Sequence, residues 1–186
     1  DVLDEALNAQ VVRERRERPG TYEFNHALIR QTLYGELSTP RRVRMHRRVG
    51  EALERSFADS IDAHLPELAF HAYEAAPGGH VDKAVDFACR AGDRAMSQTA
   101  YEEAARSYGM AIQALDLVTD GDPRARIDLL LALARAEDRG GNGEACRTAC
   151  LEAAELATRI GDAFRLGQAA VEYAGSYWYT AGAAQD

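Results

Sequence analysis

The chain has 186 residues, 22 Lys+Arg against 30 Asp+Glu, a formal net charge of −8, 46% hydrophobic and 28% charged residues. This is an ordinary globular composition with length enough for a buried core. It excludes a membrane span, since no apolar run approaches the roughly 20 residues required, and a disulfide framework, since Cys89, Cys146 and Cys150 are too few and odd in number.

The N-terminus, Asp1-Val2-Leu3-Asp4-Glu5, has no apolar signal-peptide stretch, so the cytoplasm is the expected compartment. With no initiating Met, a piece of a longer chain is expected. Val2, Leu3, Ala6 and Leu7 keep helical spacing. Val11-Val12-Arg13 and Thr21-Tyr22-Glu23-Phe24 favour strands and flank a Pro19-Gly20 turn, which predicts a hairpin over about 11–24. Helices follow at 26–37, carrying Ala27, Leu28, Ile29, Leu33 and Leu37, and at 40–57, after Ser38-Thr39-Pro40. The second is Arg-rich, with Val43, Met45, His46, Val49, Leu53 and Phe57 on its apolar side. Helix, hairpin and helix together read as the end of a winged-helix domain, assigned to residues 1–60.

From residue 61 the pattern is helical throughout, near 62–76, 80–97, 99–117, 123–139, 143–160 and 162–181. Pro77-Gly78-Gly79, Asp120-Gly121-Asp122-Pro123, Gly140-Gly141-Asn142-Gly143 and Gly161-Asp162 punctuate it. The short connections imply antiparallel neighbours. The 35 alanines favour helices packed closely through small side chains. Residues 1–60 carry 11 basic and 10 acidic side chains, and residues 61–186 carry 11 and 20. The strongly acidic second part is a poor candidate for nucleic acid, whose phosphates need clustered cations.

Ala88, Ala91, Gly92 and Ala95, followed by Tyr101, Ala104, Tyr108 and Ala111, space small residues and tyrosines so that two helices meet closely. This resembles the tetratricopeptide (TPR) pattern. A weaker second copy runs through Leu129, Ala136, Gly140 and Ala145, about 41 residues on, with Ala149 at the aromatic position and the next small position at Ala153. The expected fold is all-α: a TPR-like right-handed stack of five or six helices at 61–186, preceded by a partial winged helix with one β-hairpin.

The run Tyr22-Glu23-Phe24-Asn25-His26-Ala27-Leu28-Ile29-Arg30-Gln31-Thr32-Leu33-Tyr34, with Leu37-Ser38-Thr39-Pro40-Arg41-Arg42-Val43-Arg44-Met45-His46-Arg47-Arg48-Val49-Gly50-Glu51-Ala52-Leu53-Glu54, resembles a junction in bacterial STAND ATPases. There a winged-helix domain meets helical repeats. The relatives are LuxR-type transcriptional regulators of high-GC bacteria and cyclase-linked proteins. The resemblance implies an internal regulatory and protein-interaction segment of a signalling ATPase. The repeats would bind a protein partner or small-molecule inducer. ATP or ADP would be the cofactor of the parent, with none in this segment. The chain carries no Gly-x-x-x-x-Gly-Lys-[Ser/Thr] loop and shows no helix-turn-helix after residue 160. The resemblance makes His26, in Asn25-His26-Ala27-Leu28, a contact for the β-phosphate of ADP, as in the Met-His-Asp element. A helix start suits an anion. Alternatively His26 packs under the wing or caps the helix.

Arg13, Arg15, Arg16 and Arg18 alternate with Glu14 and Glu17, which reads as a solvated wing. Arg41, Arg42, Arg44, Arg47 and Arg48 are expected to pair locally with Glu51 and Glu54, or to face another domain. His64, Glu67 and His71 share a helix face, but no further ligand completes a metal set, so a packed helix is expected. Cys146 and Cys150 read as small core residues. Tyr173, Tyr177, Trp178 and Tyr179 read as core that a following repeat would cover, or as a ligand groove. No nucleophile has a supporting motif, so no catalysis is expected of this segment. The alternative reading is a free-standing TPR adaptor or part of a cyclase-linked regulator. Direct contact with nucleic acid or membrane is not expected.

Overall fold

The computed structural model describes residues 2–119 and 121–182, with side chains through residue 175. The fold is all-α with one small hairpin, and the chain divides into two compact units between Arg42 and Val43.

The first unit begins with α1 (Val2–Asn8), which leads into β1 (Val12–Glu14) and β2 (Tyr22–Phe24), paired antiparallel with Val12 opposite Phe24 and Glu14 opposite Tyr22. The loop closes where Pro19 and Gly20 predict it: Gly20 takes φ +80°, and its N–H donates to Glu14 Oε1 at 2.6 Å. The cross-strand pair Arg13–Glu23, at 2.8 Å, fastens the ladder. Asn25 ties the hairpin base to the turn after α1, its Nδ2 donating to the Gln10 carbonyl at 2.5 Å. α2 (Ala27–Gly35) follows, and α3 (Thr39–Ser56) begins in this unit. None of the described residues before Val43 is buried.

The second unit takes α3 from Val43 onward, then α4 (Leu65–Ala75), α5 (Val81–Ser97), α6 (Tyr101–Leu115), α7 (Pro123–Arg139), α8 (Gly143–Ile160) and α9 (Ala163–Gly182). From α4 on, each helix packs against the next, and α4 also meets α6 as α7 meets α9. Caps written in the sequence set the ends. Asp122 accepts the Arg124 N–H at 2.9 Å ahead of Pro123, Asn142 accepts the Ala145 N–H, and Gly161 closes α8 at φ +71°. The helix expected at 62–76 is broken up: a 3₁₀ segment covers Ala58–His64, α4 starts at Leu65, and Ala76–Gly78 is 3₁₀ again. Pro66 is tolerated in the first turn of α4 but would clash and lack its N–H inside a helix begun at residue 62, so the α-helix starts at Leu65.

The core follows from the alanine content. Of the 28 buried apolar residues described, 17 are alanine, so helix backbones approach closely. Larger side chains fill the remaining space: Leu65 and Leu68 from α4, Phe87 from α5, Tyr108 and Ile112 from α6, and Ile127, Leu130 and Leu131 from α7. Long polar ties span the seams. Arg165 of α9 grips both oxygens of Asp128 on α7 at 2.7 Å, Arg135 reaches Glu172 at 3.3 Å, and Tyr73 donates to Gln113 at 2.6 Å. The sequence reading divides the chain at 60/61, whereas the compact units divide it within α3. The inner face of that helix explains this: His46 is 3% exposed and Leu53 packs on the core of the second unit. Among the described residues no helix is long and apolar enough to cross a membrane.

Candidate functional site

The residues singled out as repeat-packing positions meet. Tyr108 lies across Gly92 so closely that a Cβ there would sit 2.6 Å from the ring. Its hydroxyl donates to Asp93 at 2.7 Å. Burial, and then this bond, push the phenol well above the ordinary tyrosine range. Ala88, Ala91, Ala95, Ala104 and Ala111 are buried along the same α5–α6 seam, and Tyr101 is half-buried at the start of α6. These residues build a scaffold and offer no reactive group.

In the first unit His26 is exposed. It occupies the N-cap of α2 in extended geometry (φ −136°, ψ 134°), and its imidazole caps no N–H, so the capping alternative does not hold. The apolar side chains around it are uncovered: Leu28 is 74% exposed, Tyr22 40% and Phe24 41%. Of the wing arginines, Arg13 and Arg15 both bond Glu23.

The arginines of α3 only partly follow the local pairing rule. Arg47 reaches Glu51 at 3.6 Å. Glu54 is taken instead by Lys83, the chain's one lysine, through two bonds of 2.8 and 2.9 Å across to α5. Arg42 lies over the Tyr34 ring at 5.6 Å. Arg41, Arg44 and Arg48 are exposed and face no carboxylate among the described residues.

The triplet His64, Glu67 and His71 is split. His64 stacks on Phe57 with centroids 3.6 Å apart and contacts Glu67 at 3.4 Å. His71 turns to α3, where its Nδ1 lies 2.9 Å from Nδ1 of the buried His46. Burial, then the neighbouring His46, hold His71 below the ordinary imidazole range, against Glu67 and Glu74, which favour its charged form. The two rings edge a pocket of about 90 Å³ lined also by Gly50, Leu68, His80 and Phe87. Among the described residues no group of three or more His, Cys, Asp or Glu side chains could hold a metal ion. Cys146 and Cys150 are buried, as expected of core residues. Burial drives the Cys150 thiol up to about 12 and that of half-buried Cys89 to about 11.

A larger, open cleft of about 430 Å³ runs between α7 and α8. Its floor is Leu130, Leu133 and Ala149, and its rim is Asn142, Glu144, Thr148 and Glu152. Arg126 holds Glu152 at 2.7 Å and Asn142 is spent on its cap, which leaves exposed Glu144 as the rim charge. The cleft can seat a small apolar side chain beside a cation. Tyr173 is half-buried against the core. The side chains of Tyr177, Trp178 and Tyr179 lie outside the described residues.

Comparison with protein-family models, curated proteins and solved structures returns no match. The functional reading therefore rests on the sequence resemblance and on the geometry of the chain itself. The His46–His71 contact is the feature that sequence spacing misses. One signal pointed to it: a histidine on the inner face of an amphipathic helix needs a polar partner once buried.

Proposed function

We propose that this chain is a regulatory and protein-interaction segment of a multidomain STAND-type ATPase of the LuxR-regulator kind, working in the cytoplasm. The observation that carries the reading is the first unit. Its hairpin and α2 bury none of their described side chains, while Val2 at 80% and Leu28 at 74% exposure present apolar surface. Such surface is stable in water when another layer covers it. The uncommitted imidazole of His26, at the start of α2, agrees with a part whose ligand is supplied by that layer. The segment performs no reaction of its own. The helical stack takes a partner or inducer, and its differential affinity shifts the parent between nucleotide states.

The test is nucleotide retention by the full-length protein. His26→Ala is expected to release bound ADP faster or to change basal output, whereas the 186-residue chain alone binds neither ADP nor ATP. Unchanged ADP retention and output in His26→Ala would sink the nucleotide-sensing role. The α7–α8 cleft favours a second reading, a free-standing TPR-like adaptor that takes a peptide with a cation beside a small apolar anchor. Saturable binding of such a peptide by the isolated chain, lost in Glu144→Lys, together with a full-length protein that lacks an ATPase domain, would favour the adaptor.

A further inference from the structure

His46 of α3 and His71 of α4 sit 25 residues apart in sequence, yet their Nδ1 atoms are 2.9 Å apart. The ring centroids are 5.0 Å apart, close to the sum of that contact and two ring radii, so the nitrogens meet nearly head-on. A metal bound in cis by both rings would need their lone pairs to converge to one side. Head-on nitrogens fit a shared proton instead. Phe70 closes one side of His46, edge-on at 5.5 Å, and α3 lies against α4 here, since a Cβ on Gly50 would be in ordinary contact with Cβ of His71 at 3.6 Å.

Counting protons on this pair gives an asymmetric result. With both rings neutral, one donates from Nδ1–H and the other accepts at Nδ1 while holding its proton on Nε2. A first added proton goes to the donor's Nε2 and leaves the bond in place, now charge-assisted. A second can go only to the accepting Nδ1, the atom inside the bond. The contact therefore survives charges of zero and +1 and is destroyed at +2.

We propose that the His46–His71 contact is a proton-operated latch that holds α3 against α4 and opens on acidification, when both rings are charged. Its surroundings set the bias. On α3, Arg47 opposes added charge but is offset by Glu51, and Glu54 is tied up by Lys83. On α4, Glu67 and Glu74 favour one charge. From the α5 side the pocket is lined by His80 and by Lys83, whose charge is offset by Glu54. The pocket of about 90 Å³ gives water and protons access to the pair. The sign follows from this proton count, and the lowering of His71 by burial and by His46 agrees with it: the contact is intact above the ordinary imidazole pKa of 6.5 and is lost as pH falls through the lowered His71 value, where the second proton enters.

The test uses the whole chain. Hydrogen exchange, corrected for the chemical rate, is followed for α3 amides between Val49 and Glu54 from pH 7.5 to 5. Their opening should increase about tenfold per pH unit once the second proton is taken up, while α7 and α8 stay protected. In His71→Gln the carboxamide can still bond His46 but cannot titrate, so the pH dependence should vanish. Opening that is independent of pH in the native chain, or undiminished pH dependence in a folded His71→Gln, overturns the latch. If His71→Gln does not fold, nitrogen NMR of the native histidines at pH 8 decides. One Nδ1–H and one Nε2–H tautomer support the shared proton, and two Nε2–H tautomers overturn it.

Discussion

The closest approach in the core predicts that one substitution has opposite signs at two helical glycines. Gly92→Ala would put a Cβ 2.6, 2.8 and 2.9 Å from Cε1, Cζ and Cδ1 of Tyr108. Relief requires the ring to move by about 1 Å. Overpacking of this kind costs about 1–3 kcal/mol. The ring is pinned at its far end by the 2.7 Å bond to Asp93, so the shift also weakens a bond worth about 1 kcal/mol. Alanine's better helix propensity offsets about 1 kcal/mol. The net is about 2 kcal/mol of destabilisation, a fall in Tm of about 4–8 °C for a chain this size. Gly109 lies within α6, one residue beyond Tyr108, and a Cβ there meets nothing within 4 Å. Gly109→Ala keeps the propensity gain without the clash, and should raise Tm by about 2 °C. Thermal and urea unfolding followed by circular dichroism measure both variants. A Gly92→Ala protein as stable as Gly109→Ala would mean that Tyr108 is not seated on Gly92.

Other expectations concern groups elsewhere in the second unit. Burial raises the Cys89 thiol to about 11 and that of Cys150 to about 12, so both remain protonated and unreactive at pH 8. Ellman's reagent should label them only after denaturation, and rapid stoichiometric labelling of the native chain would contradict their burial. Arg165 bonds Asp128 of α7 and Asp162 at the start of α9. Arg165→Met should therefore speed hydrogen exchange in α9 while α5 and α6 stay unchanged. Uniform acceleration along the whole stack would refute a local tie.

Much of the helical stack was legible because its punctuation is local. Asp122-Pro123, Asn142 and Gly161 each satisfy or terminate a helix end by themselves, and α7 and α8 match their sequence-based limits residue for residue. The Pro19-Gly20 hairpin is legible for the same reason. Small-residue spacing around Gly92 and Tyr108 also anticipated a close helix pair, because a glycine facing an aromatic ring is a short-range steric fact. What escaped was set by distance along the chain. Glu54 had arginines on its own helix, yet a lysine 29 residues away takes it. His71 shares a face with His64 and Glu67, yet bonds a histidine 25 residues earlier. Neither choice is encoded in spacing along one helix, since it depends on which faces of different helices come together. The 3₁₀ segment ahead of α4 was missed for a subtler reason. Apolar Ile61 and Leu65 keep helical spacing across residues 62–64, while Pro66 prevents the α-helix from extending back through them.

The alanine-rich core restricts how this sequence can drift. At Ala84, Ala104, Ala111 and Ala153, each 0% exposed, the side chain can shrink only to glycine, which loosens the helix. Nearly every other single-base change of an alanine codon, to valine, threonine, proline, aspartate or glutamate, adds bulk, charge or a break where two backbones already touch. Serine is the mild exit, adding one oxygen that can turn back on its own helix. Ser107 marks such a place: 4% exposed in the middle of α6, it donates to the Glu103 carbonyl at 2.9 Å and asks nothing of the neighbouring helix. Lineages carrying this stack should therefore vary between alanine, serine and glycine at the seams while their outward faces diversify freely.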